Sequence, residues 1–180
     1  MAMTHEMICA GFGGQGVLLM GQLVAYAGMN EDKNVSWLPS YGPEMRGGTA
    51  NCSVILSEDP VGSPIITEPD VLIAMNLPSL QKYVNSVVPG GQIYLDSTLI
   101  AEKVDRTDVD VFYIPATQMA KDEGVTTLAN MIIVGSLLEN NAELSFDGAE
   151  DTVKKLVPAK KAALVDLNLK ALQMGKEYRA

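Results

Sequence analysis

Four glycines fall within six residues at Gly11-Phe12-Gly13-Gly14-Gln15-Gly16, barely past the N-terminus. The apolar run Met7-Ile8-Cys9-Ala10 before them reads as a buried strand, and Val17 to Gly28 after them as a helix. Glycine at such a junction lets the backbone turn sharply. It also removes each Cβ that would hold a ligand away from the main-chain N–H groups. The spacing matches G-x-G-x-x-G, with Gly11, Gly13 and Gly16 in the three glycine places. The stretch reads as an anion-binding loop for a diphosphate. The alternative is a tight strand–helix turn whose glycines only pack.

The net charge of −9 argues against non-specific nucleic-acid binding, which needs Lys and Arg to neutralise phosphates. An anion site here must therefore work locally, through backbone N–H groups and a few basic side chains. With 180 residues, 47% hydrophobic and 19% charged, the composition is that of a soluble globular domain with a sizeable core. No apolar run approaches the roughly 20 residues that span a bilayer. The N-terminus lacks the basic and apolar regions of a signal peptide, so the expected place is the cytoplasm, with no membrane partner. Cys9 and Cys52 lie far apart in sequence, and both are expected in buried strands as inert thiols. They cannot supply the four thiolates of an iron–sulfur cluster or a structural zinc. The one histidine, His5, reads as a solvated residue of the tail, and it leaves no His-based triad or metal site to assemble. No His-based catalytic group and no metal-ligating cluster is therefore expected.

Along the first helix, Val17, Met20, Val24 and Ala27 recur at steps of three and four, and mark one buried face. Val35 to Leu38 reads as the next strand. Pro39 to Gly48 is too rich in Gly and Pro for either regular structure and reads as a loop. Ala50, Cys52, Val54 and Leu56 then alternate with Thr49, Asn51 and Ser53, a strand with one apolar face. Pro69 to Met75, an apolar run bounded by turn signals, reads as a central strand, and Asn76 as the N-cap of a helix with Pro78 in its first turn. Two further strands are expected at Gln92–Asp96 and Asp110–Ile114, and a short helix at Thr117–Asp122. A helix opening at Thr126 or Thr127 is apolar around most of its circumference. Helices at Ser145–Val157 and Ala162–Glu177 follow, the last burying lines of Val165, Leu169, Leu172 and of Leu164, Leu167, Ala171. The alternation predicts one three-layer α/β/α domain over residues 1–180. The hairpin-like region from Trp37 to Leu56 makes its sheet mixed, though mostly parallel.

A nicotinamide-binding unit places an Asp or Glu at the end of the second strand, for the ribose hydroxyls. Here that strand runs into Trp37-Leu38-Pro39-Ser40, which argues against a dehydrogenase. The following loop offers other chemistry. Arg46 can hold a phosphate bidentately, and Ser40 and Tyr41 can donate hydroxyl hydrogen bonds. In a parallel arrangement this loop lies at the same sheet edge as the first. Arg46 in a surface ion pair with Glu44 is the plainer alternative.

Three stretches together carry a resemblance: Gly11–Gly16, Ser40-Tyr41-Gly42-Pro43-Glu44-Met45-Arg46-Gly47-Gly48, and Pro69 to Asn76. With Thr127-Leu128-Ala129-Asn130-Met131 and Gly135, they resemble the gamma subunit of 2-oxoacid:ferredoxin oxidoreductases, to about residue 175. The resemblance implies a subunit of an enzyme that decarboxylates a 2-oxoacid on thiamine diphosphate, passes electrons to ferredoxin through iron–sulfur clusters, and transfers the acyl group to coenzyme A. The thiamine and cluster sites are then expected in alpha, beta and ferredoxin-like partner subunits. Coenzyme A is the expected ligand of this chain. Its contacts would come from Gly11, Gly13, Gly14, Gln15 and Gly16, from Ser40, Tyr41 and Arg46, and more weakly from Asn51. A dinucleotide-dependent dehydrogenase and a purely structural interaction subunit stay open as alternatives.

Overall fold

The computed structural model describes residues 4–41, 49–141, 146–157 and 162–179. Six strands form one sheet: β1 (Thr4–Phe12), β2 (Asn34–Tyr41), β3 (Thr49–Ser57), β4 (Val71–Ala74), β5 (Gln92–Asp96) and β6 (Asp110–Ile114). Their order is β2-β3-β1-β4-β5-β6. β3 pairs antiparallel with both β1 and β2, while β1, β4, β5 and β6 pair in parallel. Only β3 therefore runs against the rest, and the sheet is mixed and mostly parallel as expected.

The helices are α1 (Val17–Asn30), α2 (Leu77–Tyr83), α3 (Ala116–Asp122), α4 (Ala129–Asn140), α5 (Phe146–Leu156) and α6 (Ala162–Glu177). One face of the sheet, with Met7, Cys9, Cys52, Val54, Ile73 and Tyr94, packs against side chains of α1, α3, α4, α5 and α6. The other, with Ile8, Ala10, Leu72, Ala74, Ile93 and Leu95, packs against Leu80 of α2, Val87 and Ile100. Period-two alternation sorts these residues to the two faces. Every residue of α4 from Ala129 to Leu138 is buried, so its apolar circumference belongs to a central element of its layer. No helix among the described residues is long and apolar enough to cross a membrane.

Several expectations need correction. β2 continues through Pro39 and Ser40 to Tyr41, which the Gly/Pro-rich composition assigns to a loop. It is an edge strand, where a residue without an N–H is tolerated. His5 belongs to β1 rather than to a solvated tail, with its Nδ1 3.1 Å from Asp70 Oδ2 at the head of β4. Leu164 and Leu167 of α6 are 40% and 39% exposed, because that helix buries Asn168, Ala171, Leu172 and Gly175 instead. Cys9 and Cys52 are buried as expected, but they are direct partners in the β1–β3 register. A hydrogen bond with Cys52, together with burial, pushes the Cys9 thiol well above its usual range.

Glu6 of β1 carries a cost. Its burial, and then the nearby Asp70 carboxylate, raise its carboxyl above the ordinary value of 4.5. A folded pKa above the unfolded one removes stability as pH rises through the interval between the two. Glu6→Gln is therefore expected to raise Tm slightly at pH 7 and leave it unchanged at pH 4, as read by thermal melts at both pH values.

Candidate functional site: the glycine corner between β1 and β4

β1 leads into α1 on one face of the sheet, and β4 leads into α2 on the other. The chain thus diverges above the C-terminal ends of these neighbouring parallel strands, which is where open α/β sheets hold ligands. Gly13, Gly14, Gln15 and Gly16 occupy this crevice.

The loop is built from within. Its Gln15 N–H donates to the Phe12 carbonyl at 3.2 Å. The Phe12 N–H donates to Gln15 Oε1 at 2.6 Å, and Gln15 Nε2 donates to the Met75 carbonyl at 2.9 Å, tying the loop to the end of β4. Gln15 is thereby placed as the brace of the loop. Gly11 is enclosed: a Cβ there would stand 2.7 Å from Gln15 Oε1 and 2.9 Å from Met75 Cβ. Its place is explained by packing. Gly14 (φ 96°) is exposed and has nothing within 4 Å of where its Cβ would stand. Gly16 (φ 74°, ψ 20°) is the left-handed N-cap of α1.

Among the described residues, none accepts a hydrogen bond from the N–H groups of Gly13, Gly14 or Gly16. α1 has no side-chain cap and no acidic residue in its first turn. Its partial positive charge therefore meets no internal anion. Such a corner can take an anionic oxygen from a ligand.

Of the residues expected as a second wall, only Ser40 and the Tyr41 backbone fall among the described residues, and both stand apart from this corner. Ser40 is exposed on β2 and shares a row with Asn51 and Ala10, two strand spacings or about 10 Å from β1. It does lie at the same sheet edge, because β2 and β1 run the same way. Tyr41 stands opposite Ala50, which stands opposite Gly11. The Tyr41 side chain and all of Arg46 lie outside the described residues. β3 separates β1 from β2, whereas the dinucleotide-binding unit has its second strand beside the first. That topology, with no carboxylate ending β2, removes the dehydrogenase reading. Among the described residues, no three His, Cys, Asp or Glu side chains are grouped to hold a metal ion.

Two buried asparagines, Asn130 and Asn76, flank the corner, and the sequence motifs do not mark either as a ligand residue. Asn130, in the first turn of α4, donates from Nδ2 to the Gly16 carbonyl at 3.3 Å, while its buried Oδ1 has no partner among the described residues. Asn76 follows Met75 and caps α2, its Oδ1 accepting from the Ser79 N–H at 2.9 Å. A lone amide in the apolar run of α4 was the available signal for Asn130.

Comparison with known proteins fits this architecture. Residues 6–178 match the family model described as pyruvate ferredoxin/flavodoxin oxidoreductase. The ketoisovalerate oxidoreductase subunit VorA of Methanothermobacter thermautotrophicus is 39% identical over 173 residues, which are 94% of this chain. The chain spans only about a third (35%) of that relative's length. The gamma subunit of keto/oxoacid ferredoxin oxidoreductase from Geobacter sulfurreducens superposes with a TM-score of 0.86 at 31% identity, covering 98% of this chain and 96% of that one. The 2-oxoglutarate:ferredoxin oxidoreductase of Magnetococcus marinus, solved with 2-oxoglutarate, coenzyme A and succinyl-CoA bound, superposes with a TM-score of 0.88. At 24% identity, over 96% of this chain and 30% of that one, this likeness shows the fold alone. By the family match over nearly its whole length, the chain belongs to the pyruvate ferredoxin/flavodoxin oxidoreductase family and has the fold of its gamma subunits.

Proposed function

We propose that the chain is the gamma subunit of a 2-oxoacid:ferredoxin oxidoreductase complex, and that it holds coenzyme A by its phosphates. The observation that carries this reading is the glycine corner. Three main-chain N–H groups without an acceptor among the described residues stand at a helix N-terminus with no side-chain cap, in the crevice between β1 and β4. Coenzyme A bound to the Magnetococcus relative supports the choice of anion.

Gly13, Gly14 and Gly16 donate to a phosphate, Gln15 keeps the loop in shape, and Arg46, which lies outside the described residues, adds a fixed cation. Ser40 and Tyr41 line the same sheet edge further out. The chain has no catalytic residue in this scheme. Thiamine diphosphate and the iron–sulfur clusters, held in alpha, beta and ferredoxin-like partners, supply the decarboxylation and electron transfer. The two cysteines of this chain, side by side in the core, do not fit a cluster site. The contribution of the chain is to bring the thiol of coenzyme A to the acyl group formed in the partner, which makes the transfer effectively unimolecular.

The test is coenzyme A affinity of the complete complex. Gly14→Asp sets a carboxylate against a phosphate, and such like-charge contacts cost several kcal/mol, so binding is expected to weaken at least ~100-fold. Gly14→Ala controls for the strain of a left-handed residue. Arg46→Ala removes a charge-assisted bond and is expected to cost about tenfold. Affinity unchanged in both Gly14→Asp and Arg46→Ala rejects the reading.

A further inference from the structure

We infer that Asn76 binds the ligand: its amide oxygen caps α2, and its amide NH2 donates to a phosphate oxygen of coenzyme A in the β1–β4 crevice. The inference rests on the coenzyme A reading above and adds to the site a residue from the β4 side.

Asn76 is 3% exposed, and its Nδ2 has no hydrogen-bond partner among the described residues. A buried donor without an acceptor is costly, and native proteins keep few of them. The amide cannot escape by turning over. Its Oδ1 is fixed by the Ser79 N–H at 2.9 Å, and a flip would set two donors against each other. The main chain on both sides is held as well. Met75 donates from its N–H to the Ala10 carbonyl at 2.9 Å and accepts from Gln15 Nε2, and the Asn76 carbonyl accepts from the Leu80 N–H at 3.1 Å. The NH2 is thus a donor fixed in orientation, one residue beyond the carbonyl to which the glycine loop is tied. A helix cap alone needs only an oxygen, which Ser or Asp supplies equally well. Asparagine supplies the cap and a donor together. The N–H groups of the glycine corner approach a phosphate from the α1 side, and Asn76 approaches it from the β4 side. Asn76 Nδ2 is covered in this structure, so the proposed bond requires a small opening of the crevice.

The two roles of Asn76 separate by substitution in the complete complex, read by thermal melting and by coenzyme A titration. Asn76→Ser keeps a capping oxygen and loses the donor. Asn76→Asp keeps the cap and sets an oxygen where the NH2 stood. Asn76→Ala loses cap and donor. The expected result is that Ser melts close to the unsubstituted protein and Asp lower, because its second oxygen is buried without a donor, while Ser binds coenzyme A about tenfold more weakly, like Ala, and Asp at least ~100-fold more weakly. The inference is overturned if Ser binds coenzyme A as the unsubstituted protein does, or if affinity across the three variants simply follows their melting temperatures. Loss of binding in Gly14→Asp with full binding in Asn76→Ser would reject the role of Asn76 and leave the glycine corner standing. Full binding in both would reject the site itself.

Discussion

Gly175→Ala is expected to destabilise the protein by about 3 kcal/mol, even though alanine is the better helix former. α4 and α6 cross with their backbones in contact. A Cβ on Gly175 would fall on the Ile132 carbonyl oxygen, and one on Gly135 on the Leu172 carbonyl oxygen. Neither obstacle is a side chain that can rotate away. The helices must separate, and α4 is buried along ten successive residues, so separation disturbs the packing on its other sides. Helix propensity alone predicts the opposite sign, a gain of roughly 1 kcal/mol. The sign of the change in Tm therefore decides the matter. For a chain of this size 3 kcal/mol lowers Tm by roughly 6–12 °C, well beyond the error of a calorimetric melt. Because Gly135 and Gly175 serve one crossing, the double variant Gly135→Ala/Gly175→Ala is expected to cost less than the sum of the two. A Gly175→Ala variant that melts higher than the original would remove the close crossing from the account of α4 and α6.

That crossing also shows which parts of the molecule are legible in sequence. The apolar circumference of residues 128–138 announces a buried helix, and the alternation of Ala50 to Leu56 announces a strand with one apolar face. Both signals are local, because burial acts residue by residue on a repeating backbone. What Gly135 and Gly175 are for is not local. It depends on which helix lies across them, and nothing in either segment names the other. Strand order has the same character. Alternation says which face of β3 is buried, but not that β3 inserts between β1 and β2. That insertion moves Ser40 two strands away from the glycine loop and removes the nucleotide crossover together. Leu164 and Leu167 show the converse failure. Their spacing fits a buried line, yet α6 buries Ala171, Leu172 and Gly175 instead, because Gly175 and Gly135 let the backbones of α6 and α4 meet.

The candidate site divides in the same way. The junction at Gly11–Gly16 is legible because strand, glycines and helix follow each other in the chain. The division of labour among its residues is not. Gly11 and Gly16 stand in the same motif, yet a Cβ on the first meets its own loop and one on the second meets α4. Gln15 offers both a donor and an acceptor, and the sequence does not show that Phe12 and Met75 take them. Asn76 is recognisable as a cap from the proline two places on, but its second amide atom has meaning only where β4 ends beside β1.

Gly16→Ala brings the corner and the core into one measurement. Gly16 holds φ 74° and ψ 20°, a left-handed conformation that costs an alanine roughly 1–2 kcal/mol. A Cβ there would also overlap Asn130 Nδ2 and stand 2.9 Å from Asn130 Cγ. Asn130 is 2% exposed and bonded to the Gly16 carbonyl, so its amide has little room to withdraw. The two costs together are expected to approach 3 kcal/mol, a fall in Tm of roughly 6–12 °C. If the corner holds the phosphate as proposed, its displacement also turns the N–H groups away, and coenzyme A is expected to bind at least ~10-fold more weakly. The contributions separate in a double-mutant cycle with Asn130→Ala. That change alone takes one bond from the Gly16 carbonyl, which keeps the Met20 N–H at 3.0 Å. In the Asn130→Ala background, Gly16→Ala should cost only the left-handed strain, a coupling of about 1 kcal/mol or more. If Gly16→Ala costs as much with Asn130 shortened as with it intact, α4 does not press on the corner, and backbone strain alone accounts for the glycine.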